Sequence, residues 1–342
     1  MMKAAVWHGP SDLSIQDVPR PSPSEGEVLI RTKAVGICGT DLEIYDGRFK
    51  QSKPPLIIGH EGGGVVEAVG AGVSRLKKGD GVVVSGLLYC GECEYCQRGQ
   101  YGLCDHGRVL GIIGAQGEYA EYFVAPEKNC HLLPDKVTWP EAGLVDTLAG
   151  PIHGFAKIKS VSGSSVAVFG PGPAGLFFCK LAKLRGASRV YLIGTRDNRL
   201  AMGKKYGADL LLNVNRGDPV KAIREDTGGR GADIVIEAAG SHEALNDGLN
   251  VLKKAGDLLI YGVFGGGLSS VDVMPIQLFE FTVFGSCGLD YPSAIELIGS
   301  GTVSVKELIS HTFTLEELPE AFSSRFIVDR RDEYMKGVVL FE

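Results

Sequence analysis

The chain has 342 residues, 44% of them hydrophobic and 22% charged, with a net charge of −6. That length suggests about two domains, no apolar run reaches the length of a membrane span, and the negative charge disfavours nonspecific binding to nucleic acid. The start, Met1-Met2-Lys3-Ala4-Ala5-Val6, has no apolar core followed by a cleavage site, so a cytoplasmic protein is expected.

The first ~150 residues read as short strands, for example 27–31, 64–69 and 81–84, densely punctuated by Pro and Gly. This pattern predicts a β-rich barrel with long loops. The 48 glycines gather at turns such as 62–64 and 265–267 rather than in a low-complexity linker. Two metal candidates lie in this half. Cys38 and the pair His60-Glu61 each follow an apolar segment, and Asp146 lies in Leu144-Val145-Asp146-Thr147-Leu148. Thiolate, imidazole and carboxylate are all zinc ligands, and three protein ligands leave an open position for a substrate oxygen. Taken singly, Cys38 can equally be a buried hydrophobe and His60 a satisfied core histidine.

Cys90, Cys93, Cys96 and Cys104 form the second candidate, spaced C-x2-C-x2-C-x7-C. Four thiolates at that spacing can close a tetrahedral, structural zinc site. The same cysteines could make two disulfides, but these need an oxidising compartment. A nucleic-acid ribbon would want a basic face, and Glu92 and Glu94 flank these cysteines. Structural zinc is the favoured reading. Cys130, Cys179 and Cys287 read as reduced thiols.

After Gly150 the character changes. Apolar strands at 165–169, 189–193, 210–212, 234–236, 258–261 and 282–284 alternate with helical patterns at 174–185, 198–206, 220–226 and 243–252. Continuous apolar strands separated by helices predict a parallel sheet covered on both faces, and six of them fit a doubly wound α/β nucleotide-binding fold. The run Gly170-Pro171-Gly172-Pro173-Ala174-Gly175 follows the first strand and opens a helix. Gly170 permits the tight turn, Gly172 lets backbone approach a pyrophosphate, and Gly175 allows close helix packing. The helix start at Pro173-Ala174-Gly175 then faces phosphate with free N–H groups. The acid that would hold a ribose 2′-OH is expected at position 194, which is Gly194, followed by Thr195 and Arg196. An arginine there can pair with a 2′-phosphate, so NADP is expected over NAD, with Asp197 the residue that complicates this choice. The closing strand at 337–341 is expected to rejoin the first domain. The division is then 1–149 with 287–342 as a catalytic, zinc-binding domain, and 150–286 as a dinucleotide-binding domain.

Gly36-Ile37-Cys38-Gly39-Thr40-Asp41, Gly59-His60-Glu61-Gly62, the four-cysteine lobe and the 170–175 turn occur in this order. In that combination the whole chain resembles a zinc-containing alcohol/polyol dehydrogenase of the medium-chain dehydrogenase/reductase superfamily. The resemblance implies a GroES-like catalytic domain beside a Rossmann domain, two zinc ions per chain, and a homodimer or homotetramer. It implies that Cys38 and His60 bind the catalytic zinc, with Glu61 in or near the metal shell. It further implies that Asp41 orients the histidine and that Thr40 relays the proton of the alcohol. Asp146 falls where polyol dehydrogenases carry a Glu followed by Pro. Asp146-Thr147 and Gly194-Thr195-Arg196 are instead similar to bacterial NADP-dependent secondary alcohol dehydrogenases.

The implied reaction is hydride transfer between a small secondary alcohol, such as a polyol or sugar derivative, and its ketone. Sorbitol itself is disfavoured, because Cys287-Gly288-Leu289-Asp290 stands where sorbitol dehydrogenases carry an Arg-Tyr pair. Tyr45, Phe49 and Leu289 are candidate lining residues of a pocket expected between the domains. The rival readings are a zinc-free reductase of the same superfamily, against which the metal candidates argue, and a noncatalytic nucleotide-binding protein.

Overall fold

The computed structural model describes residues 1–264, 270–323 and 333–342, so the glycine run at 265–267 lies outside the described residues. The chain divides into two compact units, Met1–Ala149 with Gly288–Glu342, and Gly150–Cys287.

The first unit is β-rich. Its largest sheet runs in the order Cys130–Leu132, Gly81–Val84, Glu61–Val69, Glu27–Gly36, Lys336–Leu340, Ile309–Phe313, and Tyr122–Pro126 pairs separately with Glu27–Gly36. The long Glu27–Gly36 strand carries seven buried residues, which makes it the spine of the sheet. Side chains such as Ile30 and Val35 are fully buried, each worth roughly 1.5–3 kcal/mol of transfer free energy. Register does the functional work. Gly36 pairs antiparallel with Glu61 on one side and with Val338 on the other. Cys38, two residues past Gly36, His60, one before the next strand, and Lys336, two before Val338, are thereby brought to one edge of the sheet.

The second unit is built on six parallel strands in the order Leu210–Asn213, Arg189–Gly194, Ser165–Phe169, Ala232–Glu237, Leu252–Ile260, Thr282–Gly285. Every residue of Ser165–Phe169 is buried, as a central strand covered on both faces requires. Chain order reverses between Ser165–Phe169 and Ala232–Glu237, and in such sheets that switch point is where ligands bind. This is the doubly wound Rossmann architecture. The strand ending at Ile260 begins at Leu252, earlier than its apolar run suggests. It enters through a bulge, with Ala255 at φ 56° and a register shift opposite Ala232 and Ile234.

A helix at Val145–Ala156 places Asp146 in its first turn. Among the described residues no helix is long and apolar enough to cross a membrane.

Candidate functional site

The site starts at a helix cap. Cys38 is the extended N-cap residue of the Gly39–Tyr45 helix, and Asp41 reaches back to accept the Cys38 N–H at 2.9 Å. That capping box fixes the thiol at the sheet edge and buries Asp41 completely. The other Asp41 oxygen faces His60 Nδ1 at 3.3 Å. Burial acts to raise the Asp41 carboxyl, but His60, the Cys38 N–H and the Tyr119 hydroxyl outweigh it and hold the group below its ordinary value. With Nδ1 turned toward Asp41, the imidazole has Nε2 left for a metal, the arrangement expected behind a metal-binding histidine. Burial also opposes a charge on His60, yet Asp41 and Cys38 raise its pKa well above the usual value. The pocket favours a cation.

Donor atoms of Cys38, His60 and Glu61 lie within 4.8 Å of one another, with His60 and Glu61 buried. Sulfur, nitrogen and oxygen at this separation fit a zinc ion with an open position. Thr40 Oγ1 stands 3.7 Å from Cys38 Sγ. Asp146 stands outside this trio. Its carboxylate meets the Tyr291 hydroxyl at 2.8 Å, and burial together with the nearby Glu61 charge pushes it up to about 6. Glu61 Oε2 is contacted by the Thr147 hydroxyl at 3.2 Å and by the ammonium group of Lys336.

Four groups around the site were not anticipated from sequence. Lys336, 5% exposed, ion-pairs with Glu61. The Tyr119 hydroxyl donates to Asp41 at 2.8 Å, and its ring lies where a Cβ on Gly59 would need to be, about which Gly59 turns at φ +93°. Tyr291 holds Asp146. Glu118 is fully buried, with neither carboxylate oxygen hydrogen-bonded among the described residues. Burial raises its pKa well above the ordinary value. Of the expected pocket residues, Tyr45 belongs to the core, packed edge-on against Phe322.

The four-cysteine lobe closes on itself. Sulfur–sulfur distances are 3.5 Å for Cys90–Cys104, 3.8 Å for Cys90–Cys96 and 3.9 Å for Cys93–Cys104. Four ligands at about 2.3 Å around a tetrahedral zinc put sulfurs about 3.8 Å apart, whereas a disulfide needs about 2.05 Å. All eight cysteines are free thiols, so the disulfide alternative falls. Backbone N–H groups of Glu92 and Cys93 point at Cys90 Sγ and draw its thiol down to about 6.

In the second unit, the turn at 170–175 has the geometry its glycines imply. Gly170 adopts φ +109°, a Cβ on Gly175 would strike the Gly170 carbonyl, and a Cβ on Gly172 would meet nothing within 4 Å. Open space above Gly172 and a helix beginning at Pro173 fit an incoming phosphate. Pro173 has no N–H, which leaves Ala174 and Gly175 as donors. Gly194 has a different reason from the one read in sequence: a side chain there would collide with the Pro171 ring. Arg196 caps the Asp197–Met202 helix, and Thr195 is exposed. Asp197 is turned to Arg216 and to Asn213 Nδ2, the latter at 2.8 Å.

Comparison with known proteins matches these two halves. The Alcohol dehydrogenase GroES-like domain family matches residues 24–135, and the Zinc-binding dehydrogenase family matches residues 173–300. D-arabitol-phosphate dehydrogenase of Enterococcus avium is 34% identical over 92% of this chain and 91% of that protein. The chain belongs to the zinc-containing alcohol/polyol dehydrogenases of the medium-chain dehydrogenase/reductase superfamily. Sorbitol dehydrogenase of Bacillus subtilis (strain 168) is likewise 34% identical over 94% of this dehydrogenase and 92% of its own length. A zinc-binding dehydrogenase of Sinorhizobium meliloti 1021, solved bound to NADP, superposes with a TM-score of 0.92 at 30% identity, covering 100% of this chain and 99% of that one.

Proposed function

We propose that this protein interconverts a secondary hydroxyl of a polyol or sugar derivative and the corresponding ketone, using zinc and a nicotinamide dinucleotide, NADP in preference to NAD. The observation that carries the reading is the trio of Cys38, His60 and Glu61, whose donor atoms lie within 4.8 Å of one another with His60 and Glu61 buried. It also disfavours a zinc-free reductase, which has no use for such a set. Relatives that act on arabitol phosphate and sorbitol support a polyol class. The test is a screen of polyols, polyol phosphates, simple secondary alcohols and 3-hydroxy amino acids, with NADP and NAD in parallel. Turnover of none of them would defeat the reading.

A zinc ion held by Cys38, His60 and Glu61 would supply Lewis acidity toward a substrate hydroxyl, and the bound nicotinamide ring would accept the hydride. The chain's own residues do the rest. Asp41, whose carboxylate lies 3.3 Å from His60 Nδ1, orients the imidazole. Lys336 ion-pairs with Glu61 and holds that carboxylate in place. Thr40 Oγ1, close to Cys38 Sγ, takes the hydroxyl proton and passes it outward. Thr40→Ala is therefore expected to lower kcat about 100-fold, the low end of proton-transfer contributions, with cofactor affinity unchanged. Thr40→Ser keeps most of the activity. Equal turnover in all three proteins removes Thr40 from the mechanism.

The second zinc belongs to Cys90, Cys93, Cys96 and Cys104. The dinucleotide belongs to the turn from Gly170 through Gly172, Pro173, Ala174 and Gly175, with Thr195 and Arg196 at the adenosine ribose. NADP is favoured because Gly194 offers no acid and because Asp197 is occupied by Arg216 and Asn213. A charge-assisted hydrogen bond from Arg196 to a 2′-phosphate is worth roughly 1.5–3 kcal/mol, or about 10- to 100-fold in binding. Arg196→Ala should weaken NADP by that factor and leave NAD nearly unchanged, read as kcat/KM for both cofactors. Gly194→Asp is not the reciprocal test, since the added side chain would displace Pro171.

A further inference from the structure

Glu237 ends the Ala232–Glu237 strand and is 0% exposed. One carboxylate oxygen, Oε1, accepts three successive backbone N–H groups, from Ala239 at 2.8 Å, Gly240 at 2.8 Å and Ser241 at 3.4 Å. Three converging N–H groups of a turn make an anion-binding nest. Here the chain's own carboxylate fills it from inside. The other oxygen, Oε2, has no hydrogen-bond partner among the described residues and lies against Gly262, where a Cβ would come within 2.5 Å of it. The Glu237 carbonyl meanwhile accepts the N–H groups of Tyr261 at 2.8 Å and Gly262 at 3.0 Å. Both ends of this one residue therefore tie the turn after its own strand to the turn after the neighbouring Leu252–Ile260 strand.

The fixed turn is also the wall behind the glycine-rich turn. Ala238 N–H donates to Phe169 O at 2.8 Å, and a Cβ on Gly170 would sit 2.7 Å from the Ala238 carbonyl carbon and oxygen. Gly240, at φ +66°, leaves no room between itself and the Val263 carbonyl, and Gly262 leaves none beside the Gly240 nitrogen. Three strand ends around the switch point thus interlock backbone to backbone, at distances only glycine allows, with the Glu237 carboxylate inside.

We propose that Glu237 is a positioning residue for the dinucleotide: its buried carboxylate locks the 238–241 turn against Gly262, and thereby sets the rim on which the cofactor rests beside the Gly170–Gly175 turn. This rests on the nucleotide-binding reading above. It also explains why two adjacent turns with free N–H groups present one anion site rather than two. The nest at 239–241 is already occupied by Oε1, so only the helix start after Gly172 is open to a pyrophosphate.

The test compares wild type, Glu237→Gln and Glu237→Ala in the full-length, zinc-loaded protein. NADPH and NADH are titrated by their fluorescence, and amide hydrogen exchange is followed at residues 238–241. Glu237→Gln retains a carbonyl acceptor but loses the charge, and puts an NH2 group either on the nest or against Gly262. It is expected to raise the dissociation constant of the preferred cofactor about 3- to 10-fold, to speed exchange at Ala239 and Gly240, and to raise cofactor KM by more than it lowers kcat. Glu237→Ala is expected to weaken the cofactor more than tenfold. Unchanged cofactor affinity in a folded Glu237→Gln protein overturns the proposal, whatever happens to its melting temperature, because a residue serving stability alone would move only the latter. Should wild type bind neither nucleotide, the nucleotide-binding reading falls and takes this inference with it. Should wild type bind and both variants bind equally well, the inference alone fails.

Discussion

Replacing His60 with alanine is expected to give a folded chain that carries one zinc ion instead of two and has lost turnover by about 1000-fold or more. The magnitude follows from the chemistry: Lewis-acid stabilisation of a developing oxyanion is worth several kcal/mol, and each ~1.4 kcal/mol is a factor of ten in rate. The fold should survive because His60 sits at a sheet edge, beyond the paired register that begins at Glu61. Cys38→Ser should behave the same way, since Asp41 still accepts the backbone N–H of residue 38 and serine is itself a favoured N-cap residue. The contrast is Cys93→Ser, which should also bring zinc from two to one but at the cost of stability. Of residues 90–104 only Cys96 is buried, and the regular structure there is a four-residue helix and a three-residue 3-10 turn. Such a lobe has no core of its own, so metal binding supplies its folding free energy. Elemental analysis, melting temperature and turnover on the three variants separate the two sites. A zinc content near one in wild type, unaltered by Cys38→Ser, would refute the assignment of a metal to the Cys38 trio.

The parts of this molecule that were legible in its sequence are those where one physical requirement acts on neighbouring residues. The central strands of the second unit read clearly because burial on both faces demands unbroken apolar runs, as in Ser165–Phe169, whereas the outer strands Leu210–Asn213 and Thr282–Gly285 are apolar without being fully buried. The turn at 170–175 read clearly because its glycines fall within six residues between an apolar strand and a helix, although only Gly175 answers to a contact inside the turn, with the Gly170 carbonyl, while Gly170 is confined by the distant Ala238. The Val145–Ala156 helix did not, because Gly150, Pro151 and Gly154 interrupt its pattern and Pro151 lies inside it. Gly194 was legible as a missing acid but not as the seat of the Pro171 ring, a contact between a strand end and the glycine-rich turn. The site shows the same limit. Cys38, His60 and Glu61 are recognisable by residue type and motif, whereas Glu118 looks like one more polar residue in a loop, and only the structure shows both its oxygens buried without partners. Lys336 is the extreme case. Its partner Glu61 is 275 residues away, and nothing local to a lysine at the head of an apolar strand announces a buried ion pair.

That pair carries the second large expected effect. Lys336 and Glu61 are 5% and 4% exposed, so each charge depends on the other for compensation. Burial acts against the Lys336 charge, but Glu61 and Cys38 outweigh it and raise its pKa. Removing one member of a buried pair typically costs about 3–5 kcal/mol, because the survivor is left as an uncompensated charge. For a unit of this size that corresponds to a fall in melting temperature on the order of 10 °C. Lys336→Met preserves the length and apolar body of the side chain while deleting the ammonium, so packing loss adds little. The surroundings sharpen the expectation: the Asp146 carboxyl adds to the acidic side of the same pocket, and among the described residues Lys336 is the lysine that meets it. Metal-stripped Lys336→Met should therefore show the full loss. Zinc-loaded Lys336→Met should show less, since a divalent cation at the trio supplies the missing countercharge. Adding Glu61→Gln to Lys336→Met should recover most of the stripped protein's stability, because the charge that lacked a partner is then gone. Melting curves of the single and double variants, each with and without chelator, measure all of this. Equal losses with and without metal would mean that the cation does not sit where Glu61 can feel it.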